Sequence, residues 1–266
     1  MSDWEVFAIR YADRLARVRG DSFIFDDAHD APHPMDYFIW LLRRGDEAIL
    51  VDTGYDAEEG ARRDRPILTD PRAALAPFGL TPEQIKTVIV THLHYDHAGG
   101  LHLFPAAQLH MQAAEMAYAT GPCMCHDVLR MPFTGDHICE AVKRLYQGRV
   151  VFHDGDGAVA EGVTVHRIGG HSKGLQAVRV RTSAGWLCLA SDATHYYENY
   201  LSGKPFPIVA DVAEMLDGFA TIRRLASAPG LVIPGHDPLV RDLFPKHGDE
   251  AWRLSHGPQG PLPSYD

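Results

Sequence analysis

The chain has 266 residues, 45% of them hydrophobic and 23% charged, with a formal net charge of −10. That is enough for one large domain with a substantial core, and no apolar run approaches the ~20 residues of a membrane span. Basic residues are scattered in short pairs such as Arg43-Arg44 and Arg223-Arg224, so neither a nucleic acid nor a membrane is expected as a partner.

The opening Met-Ser-Asp-Trp-Glu-Val-Phe has no basic n-region followed by an apolar h-region, which makes the cytoplasm the default location. Strand-like runs at 37–42 and 48–51 flank Gly45-Asp46, a hairpin turn signal. Asp70-Pro71 and Thr81-Pro82 each open a predicted helix, with proline in the first turn. A further strand is predicted at 87–90, and the helix formers of 112–119 predict another helix. Residues 121–146 read as an insertion that covers a site. Within it, Cys123-Met-Cys-His126 has no partner pair at zinc-ribbon spacing and reads as a loop near the pocket. Met124, Met131, Phe133 and the later Phe206 are candidate apolar pocket contacts. Strands follow at 163–168 and 177–180, then the apolar run 186–190, where Cys188 is a small core residue. With Cys139 the cysteines number four, and they do not form a disulfide framework. Asp211 caps an amphipathic helix with Val212, Met215, Leu216, Phe219, Ile222 and Leu225 at helical spacing. A last strand is expected at 231–233. The expected organisation is one domain over 1–245 and a polar, weakly ordered tail over 246–266. Strands and helices in alternation predict an α/β fold.

The most informative stretch is Thr91-His-Leu-His-Tyr-Asp-His-Ala-Gly-Gly100. It places four metal-binding side chains, His92, His94, Asp96 and His97, directly behind an apolar strand. His92 and His94 alternate at the strand period, so both can face one point, and Asp96 and His97 can reach a second point after the turn. Such a two-metal layout points to a metal-dependent hydrolase.

These residues resemble the HxHxDH signature of the metallo-β-lactamase-fold hydrolases. Val51-Asp52-Thr53-Gly54, Gly170-His171-Ser172-Lys173-Gly174, Ser191-Asp192-Ala193 and Pro234-Gly235-His236-Asp237 are similar to the family's other motifs and follow in its order. The resemblance runs from about residue 36 to about 243 and is strongest to the N-acyl-homoserine lactonase-like branch. It implies a four-layer αββα sandwich and two Zn²⁺ per chain, with Mn, Co or Fe as alternatives. His92, His94 and His171 would hold one metal, Asp96, His97 and His236 the other, and Asp192 would bridge them. Asp52 would orient a ligand histidine, or else is an ordinary strand-end turn residue.

The activity implied is opening of a small lactone's ester ring by metal-bound hydroxide, with Asp96 shuttling a proton to the leaving oxygen. A quorum-quenching role on an acyl-homoserine lactone would follow. The branch usually has a tyrosine three residues after the bridging aspartate. Here that position is His195, followed by Tyr196 and Tyr197, so either His195 takes the polar role beside the substrate or a neighbouring tyrosine does. The alternatives are a glyoxalase II-like thioesterase, a cyclic-amide hydrolase and, from another class, a di-iron redox protein. The oligomeric state is open, a homodimer included.

Overall fold

The computed structural model describes residues 3–26 and 28–265. Twelve strands are present among them: β1 (Glu5–Arg14), β2 (Met35–Arg44), β3 (Glu47–Val51), β4 (Thr87–Ile89), β5 (Gln108–Gln112), β6 (Val150–His153), β7 (Gly157–Ala160), β8 (Val163–Arg167), β9 (Gln176–Thr182), β10 (Gly185–Ser191), β11 (Val232–Pro234) and β12 (Ala251–Arg253). They form a seven-stranded sheet, β12-β1-β2-β3-β4-β5-β6, and a five-stranded sheet, β11-β10-β9-β8-β7. Apolar faces of both sheets merge into one core that includes Trp40, Leu41, Val88, Val178 and Leu189, all fully buried. Helices complete the αββα sandwich that the family resemblance implies.

The sheet directions decide where the chemistry collects. β3 and β4 are parallel neighbours, as are β10 and β11, and β8 lies two antiparallel steps from β10. The carboxyl ends of β3, β4, β8, β10 and β11 therefore open on one rim, where Asp52, the 91–97 segment, His171, Asp192 and His236 follow. β2 runs antiparallel to both β1 and β3, with Arg14 opposite Met35 and Ala12 opposite Tyr37. The end of β1 and the start of β2 thus reach the same rim. Loops on a rigid rim are where side chains can be held for chemistry.

The Gly45-Asp46 turn joins β2 to β3 with Gly45 at φ +60°. The helix capped by Asp211 spans Val212–Leu225 and buries Met215, Phe219 and Ile222, while Val212 and Leu216 stay partly exposed. The helices expected after Asp70 and Thr81 are only 3₁₀ turns, Ala73–Phe78 and Pro82–Gln84. Pro77 within the first has no N–H to extend it. The tail departs from expectation more sharply. β12 pairs with β1, and Trp252 and Leu254 are buried, because the outer edge of β1 needs cover. No helix among the described residues is long and apolar enough to cross a membrane.

Candidate metal centre

The motif strand stops at Ile89, earlier than strand-period alternation of His92 and His94 requires. Residues 91–94 form a loop, and Tyr95–Ala98 is a single helical turn carrying Asp96 and His97. This loop is buried, so its backbone donors need acceptors. Thr91 N donates to Asp52 Oδ1 at 2.7 Å, Leu93 N to Glu115 Oε1 at 2.9 Å, and Tyr95 N to Pro132 O at 2.9 Å. Glu115 is fully buried and also accepts from Ser172 Oγ (2.7 Å) and Gly174 N (2.9 Å), which ties the 91–97 loop to the His171 loop. A side chain on Gly174 would collide with the Glu115 backbone, its Cβ falling 2.1 Å from Glu115 N.

All seven sequence-predicted ligands converge and are nearly sealed from solvent, Asp96 being the most exposed at 8%. The carboxylate of Asp192 lies at the centre. Its Oδ1 is 3.0 Å from His236 Nε2 and 3.3 Å from His97 Nε2, and its Oδ2 is 3.2 Å from His171 Nε2 and 3.7 Å from His92 Nε2. Asp96 Oδ2 stands 3.7 Å from His236 Nε2 and 3.8 Å from His97 Nε2. His94 presents Nδ1, 2.9 Å from His171 Nε2. Gly235 permits this approach, since a Cβ there would sit 2.4 Å from Asp192 Oδ1.

The outer nitrogens explain why the inner ones are available. His97 Nδ1 donates to Asp52 Oδ2 (2.7 Å), His236 Nδ1 to Asp36 O (2.9 Å) and His171 Nδ1 to Ile208 O (2.6 Å). Each such bond fixes the tautomer whose Nε2 lone pair faces inward. Asp52, at φ +59° on the end of β3, therefore orients a ligand histidine and the motif loop at once.

The cluster fits metal ions. His92 Nε2, His97 Nε2 and Asp192 Oδ1 are buried and have no hydrogen-bond partner, an arrangement that is costly unless something binds them. His92-His94-His171, His92-His97-Asp192 and Asp96-His97-His236 are each drawn close enough to hold one ion. Burial, reinforced by neighbouring imidazoles, pushes His92 and His94 well below the usual histidine range, toward the neutral ligand form. Burial acts in the same direction on His97 but is outweighed by Asp192, Asp96 and Asp52, which raise it. Burial would raise Asp192, yet His195, His236 and His97 hold it well below the carboxylate range.

His195 belongs to the same cluster, with Nε2 3.0 Å from Asp192 Oδ2 and its ring stacked on Phe206 at 3.4 Å. His171, Asp192 and His195 form a fourth group of ligating atoms. The neighbouring tyrosines turn away. Tyr196 OH donates to Pro34 O at 3.2 Å, and Tyr197 is buried beside Tyr200 with its N–H bonded to Asp237.

Above the cluster is a cavity of about 300 Å³ lined by Tyr37, Met131, Pro132, Phe206 and Ile208 among others. The 121–146 segment covers it as expected through Met131 and Pro132, and Phe133 packs edge-on to His94 at 4.6 Å. Met124 lines a neighbouring cavity instead. Cys123-Met-Cys-His126 forms a 3₁₀ turn at Pro122–Cys125, and none of its cysteines is in a metal-holding group among the described residues.

Glu115, Tyr37 and the arginines of this cavity carry no signal in the sequence. Glu115 lies on a helix-forming run with nothing to distinguish it from a surface acid. Tyr37 looks like any strand aromatic.

Residues 34–246 match the Metallo-beta-lactamase superfamily, and the chain belongs to it. It is a metallo-hydrolase of that superfamily. Among similar proteins, an N-acyl homoserine lactonase of Bacillus cereus is 28% identical over 182 residues, covering 63% of this chain and 67% of that one. A probable metallo-hydrolase of Mycobacterium tuberculosis is 25% identical over 251 residues, covering 80% and 77%. An N-acyl homoserine lactone hydrolase, solved with the product N-hexanoyl-L-homoserine at its catalytic metal centre, aligns with TM-score 0.73 at 23% identity, covering 91% of this chain and 96% of that one.

Proposed function

We propose that this protein opens the ester ring of a small lactone at a pair of divalent metal ions, zinc foremost. His92, His94 and His171 would hold one ion, Asp96, His97 and His236 the other, and Asp192 would bridge them. The observation that carries this reading is the two-sided environment of Asp192: one oxygen faces His97 and His236, the other His92 and His171. The similarity to the Bacillus cereus lactonase supports the choice of substrate class. The metals, when bound, supply Lewis acidity and a water acidic enough to ionise near neutral pH.

The chain's own residues do the rest. Phe206, Met131 and Pro132 wall the cavity and limit water around the ring. Asp96 is held in place by Tyr11 OH, which donates to the Asp96 carbonyl at 2.8 Å. Its carboxylate, a proposed metal ligand, also lines the cavity and would carry a proton to the leaving oxygen. His195 Nε2 would donate to the substrate oxygen in place of the branch's tyrosine. Burial holds its imidazole well below the usual histidine range, outweighing the pull of Asp192. We take the protein to act as a single domain in the cytoplasm.

The test is a hydrolysis panel with zinc-loaded protein and measured metal content: acyl-homoserine lactones of several lengths, other aliphatic and aromatic lactones, a cephalosporin and S-lactoylglutathione. Two metals per chain with turnover confined to lactones is the expected result. Turnover of the thioester or the amide alone overturns the substrate reading.

A further inference from the structure

Three of the side chains lining the cavity over the ligand cluster are guanidinium groups: Arg14, Arg17 and Arg65. In a chain of net charge −10 this runs against the average. Their partners are sparse. The Arg14 guanidinium makes no hydrogen bond or ion pair with any described residue. Arg65 donates to the Tyr95 hydroxyl and lies over that ring, 5.1 Å from its centroid, with no carboxylate paired to it. Arg17, 5% exposed, spends Nη1 on the weak acceptor Met35 Sδ and Nη2 on Asp21 O. Its Nε lacks a hydrogen bond, and the nearest carboxylate oxygen, on Asp21, is 3.8 Å away. Of the carboxylates lining the cavity, Asp96 and Asp192 belong to the ligand cluster, which leaves Asp21 alone against three cations. Arg17 is buried with one carboxylate 3.8 Å away, while Arg14 and Arg65 are half-buried with none paired to them. Cations so short of counter-charge favour an anion, and a guanidinium fork matches an oxyanion in two-point geometry.

The arginines also stand close to the reacting centre. The Arg17 guanidinium is 5.5 Å from the Phe206 centroid, and Phe206 stacks on His195. Arg65 bonds Tyr95, whose hydroxyl is 3.2 Å from that of Tyr37, and the Tyr37 ring stands 5.1 Å from that of His236. Only one or two rings separate each of these two cations from the ligand cluster.

We propose that Arg14, Arg17 and Arg65 form an anion subsite, so that the substrate is a small cyclic ester bearing a carboxylate or phosphate substituent and not an uncharged acyl lactone. The inference rests on the ring-opening function proposed above. Water adds across the acyl C–O bond, giving a hydroxyl and a new carboxylate. The anionic substituent is unchanged, and it anchors the ring so that its carbonyl faces the ligand cluster.

Binding is measured by calorimetry on the metal-loaded protein with three ketone analogues that cannot be hydrolysed: cyclopentanone-3-carboxylate, its phosphonate counterpart and the uncharged carboxamide. At least one anion should bind ~10-fold or more tighter than the carboxamide, with the advantage shrinking as salt is added. The ratio should fall about 10-fold in Arg14→Gln and in Arg65→Gln. Those two are chosen because Arg17 also ties down the segment around Asp21 and Ser22. The better anion identifies the substituent. Equal binding of charged and uncharged analogues, no binding of either anion, or an anion preference undiminished in both variants overturns the subsite. A parallel kinetic comparison uses a γ-butyrolactone carboxylate and its carboxamide. If neither is hydrolysed while charge-selective, arginine-dependent binding persists, the ring-opening reading fails and the subsite stands.

Discussion

Replacing Asp52 by Asn tests whether the metal centre depends on a residue that touches no metal. Asp52 Oδ1 accepts from Thr91 N, and Oδ2 accepts from both Thr91 Oγ1 and His97 Nδ1, each at 2.7 Å. An asparagine that keeps its oxygen toward Thr91 N must place its NH₂ against His97 Nδ1. The imidazole then has to accept there and carry its proton on Nε2, where a metal ligand needs a lone pair. The flipped amide sets NH₂ against the Thr91 N–H instead and leaves that buried donor unpaired. Losing such a supporting partner costs about 10- to 100-fold in metal affinity, or roughly 1.4–2.8 kcal/mol. The cost should fall on the ion proposed to sit between Asp96, His97 and His236, to which His97 is assigned above. Zinc titration of the metal-free protein against a competing chelator should resolve one weakened and one near-parental site, with circular dichroism verifying the fold. Two sites of unchanged affinity would refute the reasoning.

Asp192→Ala should lower both metal occupancy and turnover more than any single histidine variant, by ~100-fold or more in kcat/KM; elemental analysis showing two retained ions rejects the bridge. His195→Ala should lower kcat/KM by ~10- to 1000-fold with metal content intact, and His195→Tyr should recover part of it, since a phenol can donate the same bond. A drop in metal content in His195→Ala would instead make this histidine a ligand. Tyr37→Phe is expected to cost about 10-fold in kcat/KM, because Tyr37 lines the cavity and its oxygen already accepts from Tyr95. His110, buried and 3.1 Å from His153, is pushed down by burial from 6.5 to about 4. The unfolded chain takes up this proton first, so the stabilisation present above pH 6.5 drains away as pH falls toward 4, by up to about 3 kcal/mol. Urea titrations of metal-free protein should show a shallower acid loss for His110→Gln, and identical pH profiles would contradict the assignment.

His92, His94, Asp96 and His97 were legible in the sequence because imidazoles and carboxylates rarely fall by chance at the spacing a metal pair needs. His171, Asp192 and His236 were legible through the resemblance of their motifs to those of the family. His92, His94, Asp96 and His97 crowd into six positions behind an apolar run. His171, Asp192 and His236 each follow a strand closely, and every one of these strands ends on the same rim. Strand runs with strong β-branched or aromatic content, such as those in β2, β3 and β9, were equally visible. β12 was not: its three residues sit in a polar, proline-rich stretch, and only the exposed edge of β1 gives them a reason to be a strand.

What tertiary structure alone decided is which polar side chains face one another across long separations in sequence. Glu115 bonds to Leu93 and Gly174, Asp52 to His97, and Ile208 O to His171. Arg14, Arg17 and Arg65 share a cavity because β1 ends and β2 begins beside the carboxyl ends of five other strands. Local spacing carries no record of such encounters, since they depend on strand direction and on which backbone donors burial leaves in need of an acceptor. The sequence by itself determined the kind of chemistry, through the ligands it contains; the packing of two sheets determined what surrounds them.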